Sequence, residues 1–144
     1  MALEDFKHRY EVQLRFSDFD MLGHVNNARF LTFMEDARIR YLEQALGQPL
    51  YKLAYASIVA HLDVDYKVPV VPYDTVHIYT RTVKTGDKSL TLASEVVRFP
   101  EGNVQDPVTA ALCQTVLVTI SRDTGRPISH PQEMLKGIRE LEGA

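Results

Sequence analysis

The chain has 144 residues, of which 45% are hydrophobic and 24% charged, and this ordinary composition predicts one globular domain over residues 1–144. The net charge is −3 and no basic block is present, which argues against nucleic acid as a main partner, because phosphate binding needs concentrated positive charge. No apolar run is long enough to span a bilayer and the polar N-terminus is unlike a signal peptide, so we expect a cytoplasmic protein.

The first predicted element is a strand that ends near residue 16, where apolar and polar residues alternate. Its apolar positions are Tyr10, Val12, Leu14 and Phe16. Because successive side chains of a strand point to opposite faces, the alternation predicts a strand with one buried face.

A long amphipathic helix is predicted next, from Ala28 to about Leu46, because no proline or glycine interrupts the apolar stripe there. Asn26 or Asn27 is a natural N-cap, and Gly47 is a natural stop signal. The stripe comprises Phe30, Phe33, Met34, Ala37, Tyr41, Leu42 and Ala45.

Four more strand patterns follow the helix, at residues 58–66, 75–84, 90–97 and 110–120. Turn signals and short spacings between them indicate antiparallel neighbours. The segment from Pro131 to Leu141 is predicted as a short C-terminal helix. One long helix with one apolar stripe needs a sheet to cover it, so this order of elements indicates an α+β fold.

The loop before the long helix concentrates polar residues: positions 15–27 are Arg-Phe-Ser-Asp-Phe-Asp-Met-Leu-Gly-His-Val-Asn-Asn. Asp20 stands just ahead of a helix N-terminus, where the first N–H groups lack acceptors and the helix dipole is positive. A carbonyl docked there would be polarised, and a carboxylate beside it can attack or activate water. The alternative interpretation is that Asp20 is an Asx-turn acid that only reverses the chain.

The loop resembles the signature of hotdog-fold acyl-CoA thioesterases, specifically the 4-hydroxybenzoyl-CoA thioesterase-like family, with Asp-x-Asp followed by Gly-His-Val-Asn-Asn. The resemblance implies a five-stranded antiparallel sheet wrapped around one long central helix. It also implies hydrolysis of an acyl-CoA to a free carboxylic acid and CoA, with no cofactor beyond the CoA that the substrate carries. Family members form dimers or tetramers, so we expect a homodimer or homotetramer.

The resemblance assigns roles to individual residues of the loop. Asp20 matches the catalytic acid, as nucleophile or general base, and the backbone N–H of Asn27 matches the group that polarises the thioester carbonyl. Asp18 is expected to brace the loop through hydrogen bonds. His24 is a further candidate for orienting water or the carbonyl, although Leu22 interrupts the Asp-x-Asn-x-His triplet of the similar plant acyl-carrier-protein thioesterases.

We expect the acyl group to lie beside the loop and along the apolar face of the helix. The predicted substrate contacts are Gly23, Val25, Asn26, Phe30, Phe33 and Met34. The CoA phosphates need cations, and the sequence offers several without selecting among them: Lys67, Arg81, Lys84, Lys88 and Arg98.

Two other functions remain open, an acyl-carrier-protein thioesterase and a non-catalytic acyl-CoA-binding protein. No metal site is expected, because the histidines lack ligand spacing. A calcium loop opened by Asp18 is rejected, since Leu22 and Arg29 would fall at ligand positions. The single cysteine, Cys113, lies in an apolar run and is expected to pack as a small hydrophobic residue.

Overall fold

The computed structural model describes residues 2–143. Five antiparallel strands form one sheet in the spatial order β1-β3-β4-β5-β2. A long helix, α1 (Asn27–Leu46), lies across one face of this sheet, and a shorter helix, α2 (Gln132–Glu142), packs against α1. The α+β arrangement expected for the hotdog fold is confirmed. The strands are β1 (His8–Val12), β2 (Tyr55–Tyr66), β3 (Thr75–Thr85), β4 (Ser89–Phe99) and β5 (Val108–Ser121).

Both predicted ends of the long helix are confirmed. Asn26 is the N-cap, and its side-chain oxygen accepts a hydrogen bond from the Ala28 N–H at 2.9 Å. Gly47 ends the helix with φ of 69°, a left-handed conformation that glycine adopts without steric cost. The helix is therefore fixed at both ends by local side-chain and backbone chemistry. No helix among residues 2–143 is long and apolar enough to cross a membrane.

The apolar stripe of α1 packs into two clusters of buried side chains. The first surrounds the N-terminal half of the helix, where Phe30, Phe33 and Met34 meet strands β1, β3, β4 and β5. The second surrounds Tyr41 and Leu42 and includes residues of α2. Each such side chain contributes about 1.5–3 kcal/mol on burial, so α1 is held firmly along its whole length.

The first strand is shorter than the alternation predicts, because β1 ends at Val12. The chain then enters a 3-10 turn (Phe16–Asp18), where the side chain of Asp18 accepts a hydrogen bond from the Arg15 N–H at 2.7 Å. Phe16 therefore leaves the predicted buried face and is 97% exposed.

Strand β2 begins at Tyr55, earlier than predicted, and contains a bulge between Val59 and His61. Before the bulge Val59 pairs with Leu117, and after it Leu62 pairs with Thr115, two buried positions of β5. The extra residue thus exchanges the faces on which odd- and even-numbered side chains of β2 lie. Strand β2 is also an edge of the sheet.

Candidate active site

The loop between β1 and α1 is held in one conformation by backbone hydrogen bonds. The N–H of Asp20 donates to the His24 carbonyl and the N–H of Gly23 to the Asp20 carbonyl, each at 3.0 Å. Gly23 has φ of 79°, so this turn needs a residue without a Cβ atom. The N–H of Val25 donates to the Val70 carbonyl at 2.9 Å, which attaches the loop to the segment that follows β2.

Asp18 is buried beneath the loop, and its expected bracing role is confirmed. Its carboxylate accepts the Arg15 N–H and lies 3.8 Å from Nε of Arg29, which extends from the first turn of α1. Its carbonyl oxygen accepts the Asn26 N–H at 2.9 Å. Asp18 thus joins both sides of the loop to the helix.

Asp20 is exposed, and its carboxylate is oriented by two donors. Oδ1 accepts the Leu22 N–H at 3.0 Å, which is the Asx turn considered as the alternative role of this residue. Oδ2 lies 3.4 Å from Nδ2 of Asn26, the N-cap of α1. The Asx turn therefore directs the carboxylate toward the start of the helix, and the structural and chemical roles of Asp20 are compatible.

The first N–H of α1 is available to a ligand. Asn26 accepts hydrogen bonds from the two N–H groups that follow Asn27. Its side-chain oxygen accepts the Ala28 N–H, and its carbonyl oxygen accepts the Arg29 N–H. Among residues 2–143, none accepts a hydrogen bond from the Asn27 N–H. This free donor at the positive end of the helix dipole is suited to binding a partially negative oxygen atom.

Asn27 lines a cavity of about 200 Å³, which we call the helix-end cavity. Tyr66 forms one wall: its hydroxyl donates to the Asn27 carbonyl at 2.9 Å, and its ring meets Phe30 edge to face. A tyrosine hydroxyl is already protonated at neutral pH, and burial raises the pKa of Tyr66 further. Sequence reasoning missed Tyr66, because its position at the end of an edge strand carries no functional signal. The cavity is lined by His24, Val25, Asn27, Phe30, Tyr66, Lys67, Val68 and Pro69.

The loop connects Asp20 directly to Asn26 through its side chain and to His24 through its backbone N–H, but His24 and Asn27 line the helix-end cavity while Asp20 does not. The proposed substrate contacts are also distributed. Val25 and Phe30 line the helix-end cavity, whereas Gly23, like Asp20, lines a separate and larger cavity. Phe33 and Met34 pack in the apolar core, and only 7% and 2% of their surfaces are exposed.

The segment that carries Val70 is itself clamped by a buried ion pair. Asp74, whose side chain is 2% exposed, lies 3.1 Å from Nε of Arg98 and also accepts the Val71 N–H at 2.9 Å. Arg98 donates from Nη1 to the Pro69 carbonyl at 2.8 Å. Arg98, a candidate for binding CoA phosphates, is thus engaged within the fold, whereas Lys67 stands at the helix-end cavity.

A metal centre and a thiol nucleophile are the two other kinds of chemistry to compare with Asp20. Among residues 2–143, no group of three or more His, Cys, Asp or Glu side chains is placed to hold a metal ion. Cys113 is buried in the apolar core, as expected, and burial raises the pKa of its thiol. A thiol in this environment is a poor nucleophile, so Asp20 stays the better candidate for that role.

Comparisons with known proteins agree with the fold and the loop. The sequence is 32% identical over 95 residues to the long-chain acyl-CoA thioesterase FadM of Escherichia coli K12, covering 65% of this chain and 72% of FadM. It is 32% identical over 125 residues to the uncharacterized protein YsmA of Bacillus subtilis, covering 85% and 79%. A thioesterase of Thermus thermophilus, solved with coenzyme A and Zn, superposes with a TM-score of 0.82 at 39% identity, covering 98% of each chain.

The family is shown by a match that spans most of the chain. The profile of the thioesterase-like superfamily matches residues 14–138, which include the loop, α1 and the whole of β2–β5. The resemblance drawn from the loop is therefore confirmed, together with the expectation of an enzyme that hydrolyses thioesters. The chain belongs to the thioesterase-like superfamily.

Proposed function

We propose that the protein hydrolyses an acyl-CoA thioester to a free carboxylic acid and CoA, with Asp20 as nucleophile or general base. The observation that carries the proposal is the contact of the Asp20 carboxylate with Asn26, the N-cap of α1, because the next residue, Asn27, carries the unpaired N–H. FadM acts on long-chain acyl-CoA, and the T. thermophilus thioesterase binds coenzyme A, which supports CoA as the carrier of the acyl group.

The chemistry requires one electrophilic pocket and one carboxylate. The thioester carbonyl oxygen accepts the Asn27 N–H, so negative charge that develops on this oxygen is stabilised by the helix N-terminus. As a nucleophile, Asp20 attacks the carbonyl carbon, CoA leaves as a thiolate, and water then hydrolyses the mixed anhydride. As a general base, Asp20 instead removes a proton from the water that attacks the carbonyl.

His24 and Asn26 assist this reaction in different ways. The His24 side chain lines the helix-end cavity, where it can orient water or the carbonyl group. The Asn26 amide orients Asp20 and simultaneously caps the helix. The helix end and the carboxylate are thus fixed by one residue, which favours a preorganised site.

We propose further that the protein is a homodimer formed along the free edge of β2. A long edge strand with unpaired backbone groups is a template for pairing with a second copy. Ile58, Val59 and Tyr66 on this strand are between 42% and 48% exposed, and the partner would cover them. Light scattering coupled to gel filtration tests this, since a monomer mass would contradict it.

The cytoplasmic location stays a prediction.

The proposed activity is tested by CoA release from acetyl-, dodecanoyl- and benzoyl-CoA, with the wild type and Asp20→Asn measured together. The matched control is Asp123→Asn, which removes an exposed carboxylate from the turn after β5. Loss of the catalytic carboxylate should lower kcat by about a hundredfold or more, while the control retains wild-type turnover. Equal turnover by Asp20→Asn would refute the role of Asp20, and no turnover by the wild type would refute the activity.

A further inference from the structure

The largest cavity described lies between the β1–α1 loop and the turn before β3, and its volume is about 890 Å³. This volume is within the range of small-molecule sites. Asp20 and Gly23 form part of its wall, whereas His24, Val25 and Asn27 line the helix-end cavity. The two cavities therefore border the same loop but share no lining residue. The apolar residues of the larger one are Val12, Leu14, Phe16, Phe19, Pro72 and Tyr73.

Two aromatic side chains at this cavity have no role in the packing of the chain. Phe16 is 97% exposed and Tyr73 is 88% exposed, although aromatic rings usually gain stability by burial. They come from different segments, the 3-10 turn after β1 and the turn before β3, and both line the cavity. Exposed aromatic rings that flank an open cavity indicate a surface that a ligand covers.

The backbone of Tyr73 adds an independent observation. Tyr73 has φ of 72°, in a turn closed by the Asp74 N–H donating to the Val71 carbonyl at 3.2 Å. Glycine or asparagine is favoured at this position of such a turn, and a bulky side chain is strained there. The Asp74–Arg98 ion pair holds the turn in place. Backbone strain of this kind occurs preferentially where a protein holds a ligand.

We propose that this cavity binds the apolar acyl group of the substrate, with Phe16 and Tyr73 as its specificity-determining walls; the inference rests on the proposed function. The thioester then lies across the loop. Its carbonyl oxygen accepts the Asn27 N–H, and its acyl group occupies the larger cavity, which Asp20 lines. The acyl group does not insert along the core face of α1, because Phe33 and Met34 already fill that space with core packing.

The charges that line the two cavities indicate which one binds the acyl group and which one binds the CoA part of the thioester. The larger cavity is lined by two acidic residues, Glu11 and Asp20, and by Arg15, whereas the Asp74 carboxylate is buried in its ion pair with Arg98. An excess of carboxylates disfavours the phosphates of CoA but not an uncharged acyl chain. The helix-end cavity instead has Lys67 at its wall, and this cation suits the phosphate groups of CoA.

The test uses Phe16→Ala and Tyr73→Gly in the full-length protein. Glycine tolerates a φ of 72°, so the second variant removes the ring without straining the turn. The matched control is Tyr51→Ala, which removes an aromatic ring that is 76% exposed and lines none of the cavities described. The readout is kcat/KM for acetyl-, hexanoyl- and dodecanoyl-CoA.

The proposal predicts a change in chain-length preference rather than in overall activity. Both cavity variants should lose about tenfold or more of kcat/KM for dodecanoyl-CoA, with less than about a twofold change for acetyl-CoA. The control should keep the wild-type profile. An unchanged profile, or the same loss on all three substrates, overturns the proposal while leaving the proposed function intact.

Calorimetric titration separates failure of this inference from failure of the proposed function. Dodecanoate and CoA are titrated separately into the wild type and each variant. Weaker dodecanoate binding with unchanged CoA binding in Phe16→Ala and Tyr73→Gly supports the acyl site, even if the wild type lacks turnover. Dodecanoate binding that is equal in all variants, or absent from the wild type, overturns it.

Discussion

The side-chain Nδ2 of Asn26 lies 3.4 Å from Oδ2 of Asp20, and Oδ1 of the same amide caps α1 by accepting the Ala28 N–H. One side chain therefore orients the candidate carboxylate and satisfies the helix end. These two tasks use different atoms, so substitutions can separate them. Serine keeps an oxygen that caps a helix but has no amide to donate to Asp20.

Asn26→Ser should lower kcat about tenfold, because a carboxylate held by the Leu22 N–H alone spends less time in the reactive geometry. Its free energy of unfolding should change by less than about 0.5 kcal/mol, since serine caps helices nearly as well as asparagine. Asn26→Ala should lose activity similarly and also about 1 kcal/mol of stability. Urea unfolding and CoA release measure the two effects. Wild-type kcat in Asn26→Ser would show that the amide does not orient Asp20.

The Asp74–Arg98 ion pair should be energetically coupled to the loop. Removing the Asp74 carboxylate leaves the Arg98 guanidinium without its ionic partner and the Val71 N–H without its acceptor. Asp74→Ala should cost about 2–3 kcal/mol, less than a fully buried pair because the Arg98 side chain is 19% exposed.

A double-mutant cycle with Arg98→Ala distinguishes this coupling from two separate losses. The double variant should be destabilised by less than the summed destabilisation of the two single variants, because it retains no unpaired charge. Both single variants should also lose kcat, since this turn carries the segment whose Val70 carbonyl holds Val25. Additive free energies of unfolding would contradict the coupling.

Local signals predicted the helix and its ends well, because caps and stop residues act within a few residues of their own position. Asn26, Gly47 and the apolar stripe of α1 belong to this class. The loop could be identified as a candidate site for the same reason, since its polar residues directly precede the helix N-terminus.

Other features depend on contacts that periodicity does not encode. The Tyr66 hydroxyl reaches the Asn27 carbonyl from a residue far along the chain. Phe16 continues the alternation of a strand, yet the hydrogen bond to Asp18 turns the backbone and exposes the ring. The left-handed backbone of Tyr73 is not encoded by its residue type, because glycine or asparagine is the residue favoured at such a turn position.

His8 should make stability depend on pH. It is buried against Tyr41, and burial lowers the pKa of His8 below 6.5, although the charge of Glu142 opposes this effect. The unfolded state therefore binds a proton more readily than the folded state as the pH falls through 6.5. The contribution of neutral His8 is fully present above that pH and is lost below it.

Replacement of His8 by glutamine should remove this part of the pH dependence. We expect the free energy of unfolding to fall less between about pH 7 and about pH 5 in His8→Gln than in the wild type. The control is His61→Gln, which removes an exposed histidine on β2 and should keep the wild-type slope. Urea unfolding at both pH values measures the slopes, and identical slopes for His8→Gln and the wild type would be inconsistent with a depressed pKa.

Gly137 marks the closest approach of α2 to the end of α1. A Cβ atom at this position would lie only 2.0 Å from the Ala45 carbonyl oxygen and 2.8 Å from its carbon, both backbone atoms that cannot rotate away. Replacing glycine by alanine inside a helix ordinarily stabilises it by about 1 kcal/mol. Here the sign should reverse, because α2 must move off α1 to admit the methyl group.

Gly137→Ala should therefore lower the free energy of unfolding by about 1–3 kcal/mol, the usual cost of overpacking. Lys136→Ala is the matched control, since it changes an exposed neighbour on the same helix and should be nearly neutral. Because the contact lies at the C-terminal end of α1 and the candidate site lies at its N-terminus, kcat at temperatures well below Tm should be retained. A variant that is as stable as the wild type would mean that α2 adjusts its position at little cost. Loss of kcat in a folded Gly137→Ala protein would instead mean that displacement of α2 is transmitted along α1 to Asn27.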